Sequence, residues 1–185
     1  MFYRIWLNTL SPINSRNQKY HVAFISIGSN MGNKVANCRN AMVAIQRSGV
    51  GRVIGQSKFY HTEPVDFIDQ EWFLNAALKI ETSLEPLGLL TALQQIQKSG
   101  GRKNGAIRFG PRLIDLDIIF YDDITFEHER LMIPHPRMHK RRFVLRPICD
   151  IDPQLVHPGF KQTVGQLLLQ IKGQDQRIRH YPCGF

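Results

Sequence analysis

The sequence is poor in cysteine and in long apolar runs, and both shortages narrow the class of protein. Its three cysteines, Cys38, Cys149 and Cys183, lie far apart and form no C-x-x-C pair. This spacing argues against a disulfide framework and favours a reducing, cytoplasmic compartment. No apolar run approaches the length of about 20 residues that a membrane span needs, so we expect no membrane partner.

Acidic residues are also scarce: 15 Asp and Glu stand against 24 Lys and Arg, which gives a net charge of +9. Such an excess favours anionic partners, namely nucleic acid, an anionic surface or phosphorylated small molecules. The G-x-x-x-x-G-K-[ST] run is absent, which excludes a nucleotide site of the usual P-loop kind. A length of 185 residues fits one domain with a substantial core.

One stretch, RKNGAIRFGPRLIDLDIIFYDD, concentrates charge of both signs. Arg102, Arg108 and Arg112 precede an apolar, breaker-free run that predicts a buried strand. Because side chains alternate along a strand, Asp115 and Asp117 share one face. Buried carboxylates need a cation, which is either a neighbouring arginine or a hard metal ion with oxygen ligands. We favour the metal, and predict a site for Mg²⁺ and phosphate.

The arginines of this stretch lie in a loop punctuated by Gly101, Gly105 and Gly110. Glycines at this density indicate a mobile backbone rather than a rigid surface. A mobile basic loop that closes over a triphosphate would stabilise charge and exclude water. Loops rich in Gly and Arg also bind RNA, so the pattern alone leaves both ligands open.

Periodicity predicts an α+β fold with the order βαββαβ, which is a ferredoxin-like core of antiparallel sheet with helices packed on it. Residues 1–20 are expected to form a peripheral extension with no signal peptide, 21–172 a single domain, and 173–185 a loose polar tail. The predicted strands are 22–27, 53–60, 72–82, 113–121 and a short 131–133, and the predicted helices follow Asn33, Pro86 and Thr163.

Several polar residues outside the central stretch suggest a ligand but do not identify it. Asn75 lies in a predicted strand, where Asn is depleted and must find partners. An amide beside aromatic Phe73 suits a flat heterocycle, although residues such as Phe73 and Phe143 are more often core residues than ligand platforms. His135, in Ile-Pro-His-Pro, is either a turn residue or a donor to phosphate, and Arg141 is either a surface charge or an anion contact.

Five stretches together carry a family resemblance: IGSNMG (27–32), FYHTEPV (59–65), FLNAAL (73–78), GRKNGAIRFGPRLIDLDIIFYDD (101–123) and ERLMIPHPRMHKRRFVLRPICDIDP (129–153). They resemble the 6-hydroxymethyl-7,8-dihydropterin pyrophosphokinases of folate biosynthesis, over about residues 22–158. The resemblance implies transfer of pyrophosphate from ATP to the pterin hydroxymethyl group, with release of AMP and use of two Mg²⁺ ions. It implies a monomer with ATP and the dihydropterin as ligands and no nucleic acid.

The resemblance also implies residue roles. Asp115 and Asp117 would hold both metal ions, and with Arg102 and Arg112 they would form the catalytic set. The ATP contacts would be Gln94, Arg102, Arg112, Arg130, His135 and Arg141. The pterin would lie between Phe73 and Phe143, with Thr62 and Asn75 at its edge.

Three residues depart from the family pattern: Phe109 replaces a common Trp, Gln97 a common acid and Asn104 an occasional arginine. These changes bear on loop closure and ATP affinity more than on the reaction. Two other classes compete. A ferredoxin-like RNA-binding module fits the charge and the aromatic residues but leaves the paired aspartates unexplained. A D-x-D nucleotide-sugar transferase fits the metal site but is expected to have a longer chain.

Overall fold

The ten-residue strand β4 is the centre of the main sheet, whose strands all pair antiparallel. The computed structural model describes residues 19–65, 68–100, 110–171 and 176–182. The strand order is β5-β1-β4-β3-β8, and β2 also pairs with β4, while β6 and β7 form a separate hairpin. The strands are β1 (His21–Ser29), β2 (Arg52–Gln56), β3 (Phe59–Thr62), β4 (Phe73–Thr82), β5 (Asp115–Tyr121), β6 (Phe126–His128), β7 (Leu131–Ile133) and β8 (Ile178–Tyr181).

Two of the helices begin at residues that the sequence provides as caps. The Asn33 side chain accepts a hydrogen bond from the Ala36 N–H at 3.0 Å, and Thr163 forms a capping box with Gln166. Within the described residues, no helix is long and apolar enough to cross a bilayer. The helices are α1 (Lys34–Arg47), α2 (Pro86–Ser99), α3 (Arg142–Ile151) and α4 (Val164–Gln170), with a 3-10 turn at Met138–Lys140.

Helices cover both faces of the sheet because β4 is apolar on both sides. Leu74, Ala76, Leu78 and Ile80 belong to the core that also contains residues of α1 and α2. Ala77 points to the opposite face and packs in a second core with residues of α3 and α4. The sheet is therefore the middle layer of three.

The α+β prediction with an antiparallel sheet is confirmed, but three details of it are wrong. Residues 53–60 are not one strand. Ser57 interrupts them, because its N–H donates to the Ala77 carbonyl and its hydroxyl accepts the Ala77 N–H at 2.8 Å. Helix α3 was not predicted, because four arginines in residues 137–146 hide its apolar positions. The tail predicted to be loose contains β8, which pairs with β3.

A polar cluster ties α3 to β3. Asp150 accepts hydrogen bonds from the Tyr60 hydroxyl at 2.7 Å, from Arg146 Nη2 at 2.6 Å and from the Lys58 N–H at 3.2 Å. Arg146 Nε also donates to the Tyr60 oxygen at 3.1 Å. Charge-assisted bonds of this kind are short and directional, so they fix the position of α3 over the sheet. The N-terminal turn of α3 is thereby directed toward the ends of β3 and β4.

His157 makes the stability of this fold dependent on pH. Its ring is buried and stacked on Phe160, with centroids 4.3 Å apart, and Nδ1 accepts the N–H groups of Gly159 and Phe160. Burial, helped by the nearby His139, lowers the pKa of His157 below its usual value. The unfolded chain, with a histidine pKa of about 6.5, then binds a proton that the native chain resists. Native stability therefore falls as the pH drops below that value.

We expect His157→Gln to reduce the loss of unfolding free energy between pH 7.5 and pH 5.5, because the variant removes one titrating group. Urea denaturation at the two pH values measures this loss. The control is His180→Gln, at an exposed position. This variant should lose as much unfolding free energy between the two pH values as the native sequence does. Equal pH dependence in the native chain and in the His157 variant would contradict the assignment.

Candidate active site

A cavity of about 270 Å³ opens where the ends of β1, β3, β4 and β5 meet the start of α3. The antiparallel register brings these ends together: Gly28 is paired with Asn75 on one side and with Asp115 on the other, and Thr62 is paired with Phe73. The cavity is lined by residues of all these segments, including Thr62, Phe73, Asn75, Arg112, Asp115, Asp117, His135, Arg141 and Phe143. Nine of the predicted site residues are thus brought to one place.

The amide of Asn75 is held in one orientation. Its Nδ2 donates to the Thr62 hydroxyl oxygen at 2.6 Å, which supplies the partner that an Asn in a strand requires. Its Oδ1 lies over Gly28, where a Cβ atom would come within 2.7 Å of it. Only glycine leaves room for the amide oxygen at this position. Because the Thr62 oxygen accepts a bond, its own hydrogen is left to donate to another group.

The aromatic walls of the cavity come from two different elements. Phe73 is the first residue of β4, and Phe143 lies in the first turn of α3. Both rings are half-buried and line the cavity. The Arg141 guanidinium lies 5.4 Å from the centroid of the Phe143 ring, a distance typical of a cation–π contact. A hydrophobic slot with a fixed amide at its edge is suited to a flat, polar-edged ring.

The two aspartates of β5 both line the cavity, as the alternation along a strand predicts. Arg112 Nη1 donates to Asp115 Oδ1, so the ion-pair alternative is present for Asp115. Among the described residues, no group of three His, Cys, Asp or Glu gathers as a metal site. Mg²⁺ commonly takes only one or two carboxylates and completes its shell with water and substrate phosphates. A pair of carboxylates that opens into a ligand cavity therefore fits this ion.

His135 is a neutral hydrogen-bond donor at the site. Burial, together with the positive charges of Arg141 and Arg137, lowers the pKa of His135 to about 4. Its Nδ1 accepts the backbone N–H of Arg137 at 3.2 Å. The neutral ring therefore carries its proton on Nε2, which is available to a ligand. The backbone N–H of His135 donates to the Ile119 carbonyl at 3.0 Å, so strand β5 fixes the position of the residue.

A second cavity of about 640 Å³ adjoins the first. Asp117 and His135 line both cavities, and Arg130 lines only the second. Gln94 is not among the residues that line either one: it lies on α2, four residues beyond Leu90, which does line the second cavity. Two compartments that share a carboxylate and a neutral donor are suited to two ligands that meet at that boundary.

The remaining predictions fall elsewhere. Arg102, Asn104 and Phe109 lie outside the described residues. Gln97 is buried, and its Nε2 is 3.5 Å from the Leu116 carbonyl oxygen in strand β5. Gln97 therefore lies against strand β5, the strand that carries Asp115 and Asp117.

Sequence reasoning missed Asn30, which it treated only as part of a turn. Asn30 is buried and joins three segments at the mouth of the first cavity. Its Oδ1 accepts the Arg112 N–H at 2.7 Å, and its Nδ2 donates to Gln70 Oε1 at 2.9 Å and to the Glu71 carbonyl at 3.2 Å. The available signal was an Asn directly after a buried strand, a position where a polar side chain needs partners.

The profile of a family described as 7,8-dihydro-6-hydroxymethylpterin-pyrophosphokinase (HPPK) matches residues 24–153. The chain belongs to this family. The matched range includes every lining residue of the first cavity. The predicted ferredoxin-like class is likewise confirmed, since the structural neighbours described below are proteins that contain HPPK.

Relatives support the same family over most of the chain. The 2-amino-4-hydroxy-6-hydroxymethyldihydropteridine pyrophosphokinase of Bacillus subtilis is 41% identical over 135 residues, which are 73% of this chain and 80% of that protein. The folic acid synthesis protein of Schizosaccharomyces pombe is 40% identical over 160 residues, 86% of this chain but 22% of that protein. The chain therefore spans about a fifth of the fungal relatives that it matches.

A crystal structure of a Plasmodium falciparum HPPK-DHPS protein superposes with a TM-score of 0.70 and 17% identity. The superposition covers 84% of this chain and 45% of that one. At this level of identity the comparison establishes the fold, and the HPPK sequence relatives establish the family.

Gly28→Ala should destabilise the chain by about 1–3 kcal/mol, because a methyl group at this position displaces the Asn75 amide oxygen from a packed site. Urea denaturation measures the loss. The matched control is Gly88→Ala in α2, where a Cβ meets its nearest neighbour at an ordinary 3.8 Å. That variant should be neutral or more stable, since alanine favours a helix by about 0.5–1 kcal/mol. A Gly28 variant as stable as the native chain would contradict the geometry.

Proposed function

We propose that the chain transfers pyrophosphate from ATP to the hydroxymethyl group of 6-hydroxymethyl-7,8-dihydropterin and releases AMP. One observation carries the proposal. The cavity joins an amide-and-aromatic half to a carboxylate-and-arginine half across a single row of paired strand residues, Asn75–Gly28–Asp115. The first half suits a flat heterocycle and the second a phosphate group. Family membership identifies which heterocycle to test.

The pterin half consists of Phe73, Phe143, Asn75 and Thr62. The two rings would cover the faces of the bicyclic ligand, where stacking adds to the burial of apolar area. The free amide hydrogen of Asn75 and the hydroxyl hydrogen of Thr62 would donate to the polar edge of the pterin. Because their mutual bond at 2.6 Å fixes both groups in advance, little conformational entropy is lost on binding.

The phosphate half consists of Asp115, Asp117 and the neighbouring cations. Asp115 and Asp117 would hold two Mg²⁺ ions, which neutralise charge on the polyphosphate and orient it for displacement. Arg112 and Arg141 line the same cavity and would contact the phosphate oxygens. The nucleotide would extend into the second cavity, past His135 toward Arg130, and Gln94 and Arg102 are further proposed contacts.

In the proposed reaction the pterin hydroxyl oxygen attacks the β-phosphorus of ATP, and the bond to the bridging oxygen of AMP breaks. Such transfers depend on alignment and on charge neutralisation more than on covalent chemistry by the protein. His135 is unsuited as a general base, because its Nδ1 lone pair accepts the Arg137 N–H. Its Nε2 hydrogen is instead placed to donate to a phosphate oxygen or to the nucleotide.

The RNA-binding alternative is disfavoured by the layers of the fold. Modules of that kind offer an open sheet face on which bases stack. Here helices cover both faces over the described residues, and Phe73 and Phe143 open into a cavity. We further propose that the chain acts in the cytoplasm as a monomer, in keeping with its scattered thiols, of which Cys38 is buried. Its single domain would extend beyond the predicted range of 21–172 to include β8, which pairs with β3.

The direct test is AMP release from ATP and Mg²⁺, with and without 6-hydroxymethyl-7,8-dihydropterin. Release that requires the pterin is expected. In the same assay Asp117→Ala should lose more than tenfold in turnover, which corresponds to about 1.4 kcal/mol of barrier. Asp152→Ala is the matched control, because Asp152 pairs with Lys79 away from the cavity. A residual rate above one tenth in the Asp117 variant would contradict the metal role.

Arg102→Ala should lower turnover more than it lowers pterin affinity, because a loop arginine is expected to act on the moving phosphates. Steady-state kinetics give turnover, and pterin titration monitored by fluorescence gives the affinity. Lys98→Ala, at an exposed position near the end of α2, is the control for a general loss of positive charge. A large loss of pterin affinity with unchanged turnover would contradict the loop assignment.

A further inference from the structure

Strand β8 and the two residues before it contact two walls of the first cavity, one at Thr62–Glu63 and the other at Arg141–Phe143, although none of residues 176–181 lines the cavity. β8 pairs antiparallel with β3, and Ile178 lies opposite Thr62, the residue that fixes the Asn75 amide. One register position further, the Glu63 N–H donates to the Arg177 carbonyl at 3.1 Å. The backbone of this wall, at Thr62 and Glu63, is therefore paired with Ile178 and Arg177 up to the end of β3.

Side chains strengthen this connection. Arg177 forms a two-point ion pair with Glu63, with Nη2 at 2.6 Å from Oε1 and Nε at 3.1 Å from Oε2. Glu63 itself lines the cavity. Two-point pairs between Arg and a carboxylate fix orientation as well as distance, even where solvent weakens their energy.

The same strand also contacts the segment that leads into the Phe73 wall. The guanidinium groups of Arg177 and Arg179 lie 5.6 and 5.7 Å from the centroid of the Trp72 ring. Trp72 directly precedes Phe73, and its carbonyl accepts a hydrogen bond from Lys34 Nζ at 2.7 Å. Arg177 and Arg179 thus contact both ends of the loop between β3 and β4, at Glu63 and at Trp72.

Gln176 reaches the opposite wall. Its Oε1 accepts the Arg142 N–H at 2.7 Å, and its Nε2 donates to the Lys140 carbonyl at 2.8 Å. These two bonds bracket Arg141, whose own side chain makes no capping bond to α3. Gln176 therefore acts as the cap that this helix N-terminus lacks locally, and it fixes the turn that carries Arg141 and Phe143.

We propose that residues 176–179 are positioning residues for the pterin, because they hold the Thr62–Glu63 wall and the Arg141–Phe143 wall at a fixed separation. The two sets of contacts come from Gln176 and Arg177, which are neighbours directly before β8, so a shift of either wall must stretch bonds to the other. Recognition of a flat ring between two aromatic faces depends on that separation. The inference rests on the proposed function, which supplies the pterin as the ligand that binds between the two walls. Residues 176–179 would then set the affinity for that ligand.

The test is ligand binding by Gln176→Ala, Arg177→Ala and the double variant. Each single change should raise the Kd of the pterin, measured with a non-hydrolysable ATP analogue and Mg²⁺, by about tenfold, as expected for loss of one charged or capping contact. For Arg177→Ala the Kd of the ATP analogue alone should change less than about twofold, because neither Arg177 nor β8 lines the second cavity. For Gln176→Ala the Kd of the ATP analogue should rise less than that of the pterin, because Arg141 is one of several proposed phosphate contacts whereas Phe143 is one of two proposed ring faces. Arg177→Lys should recover part of the pterin affinity.

Matched controls separate positioning from general stability. Arg52→Ala removes an exposed ion pair to Glu81, with Nη2 at 2.9 Å from Oε2, at the far end of β4. Gln166→Ala removes a glutamine cap from the start of α4. Both controls should leave the pterin Kd unchanged. Urea denaturation of every variant gives its stability, and a role confined to stability would lower the unfolding free energy without a selective loss of pterin affinity in the folded variant.

Two results would overturn the inference. One is that the folded Gln176 and Arg177 variants bind the pterin with the same Kd as the native chain. This would show that the separation of the walls does not depend on residues 176–179. The other is parallel weakening of pterin and nucleotide. Failure of the proposed function has a different signature: the native chain would then neither bind the pterin nor release AMP, and the inference would fall with it.

Discussion

The pairing of Gly28 with both Asn75 and Asp115 is the constraint on which the rest of the site depends. Strand β1 lies between the strand that carries the amide and the strand that carries the carboxylates. A residue without a side chain at the crossing point leaves space above the sheet, and the amide oxygen occupies part of that space. A shift of the register by one residue would turn every one of these side chains to the opposite face.

Because side chains alternate between the two faces of a strand, the face on which each strand residue lies could be predicted from the sequence. Asp115 and Asp117 share a face with the cavity, and Leu116 and Ile118 lie in the core on the other side, as the pattern of period two requires. The bulge at the end of β5 was not predictable. It lets Ile119 and Phe120 both face the α3 side, and such a register shift depends on the partner strand rather than on local sequence.

The helix α3 shows where sequence reasoning fails for a physical reason. Its N-terminus has no local capping side chain, and the two arginines at its start, Arg141 and Arg142, resemble a surface patch. The bonds that start the helix come from Gln176, 34 residues later in the chain. A helix cap whose hydrogen-bonding partner lies so far along the chain leaves no signal in the local sequence. For the same reason the role of Asn30, whose partners lie 40 and 82 residues away, was missed.

Strand β8 is also the last strand of the sheet on its side. An edge strand offers free backbone groups to any other extended chain, and proteins often protect such edges with charge. Here Arg179 and His180 are exposed in β8, and the exposed Arg177 directly precedes the strand. Two copies of the chain that approached edge to edge at this strand would bring like charges together. The segment proposed to hold the cavity walls therefore also carries charge of the kind that disfavours pairing between two exposed sheet edges.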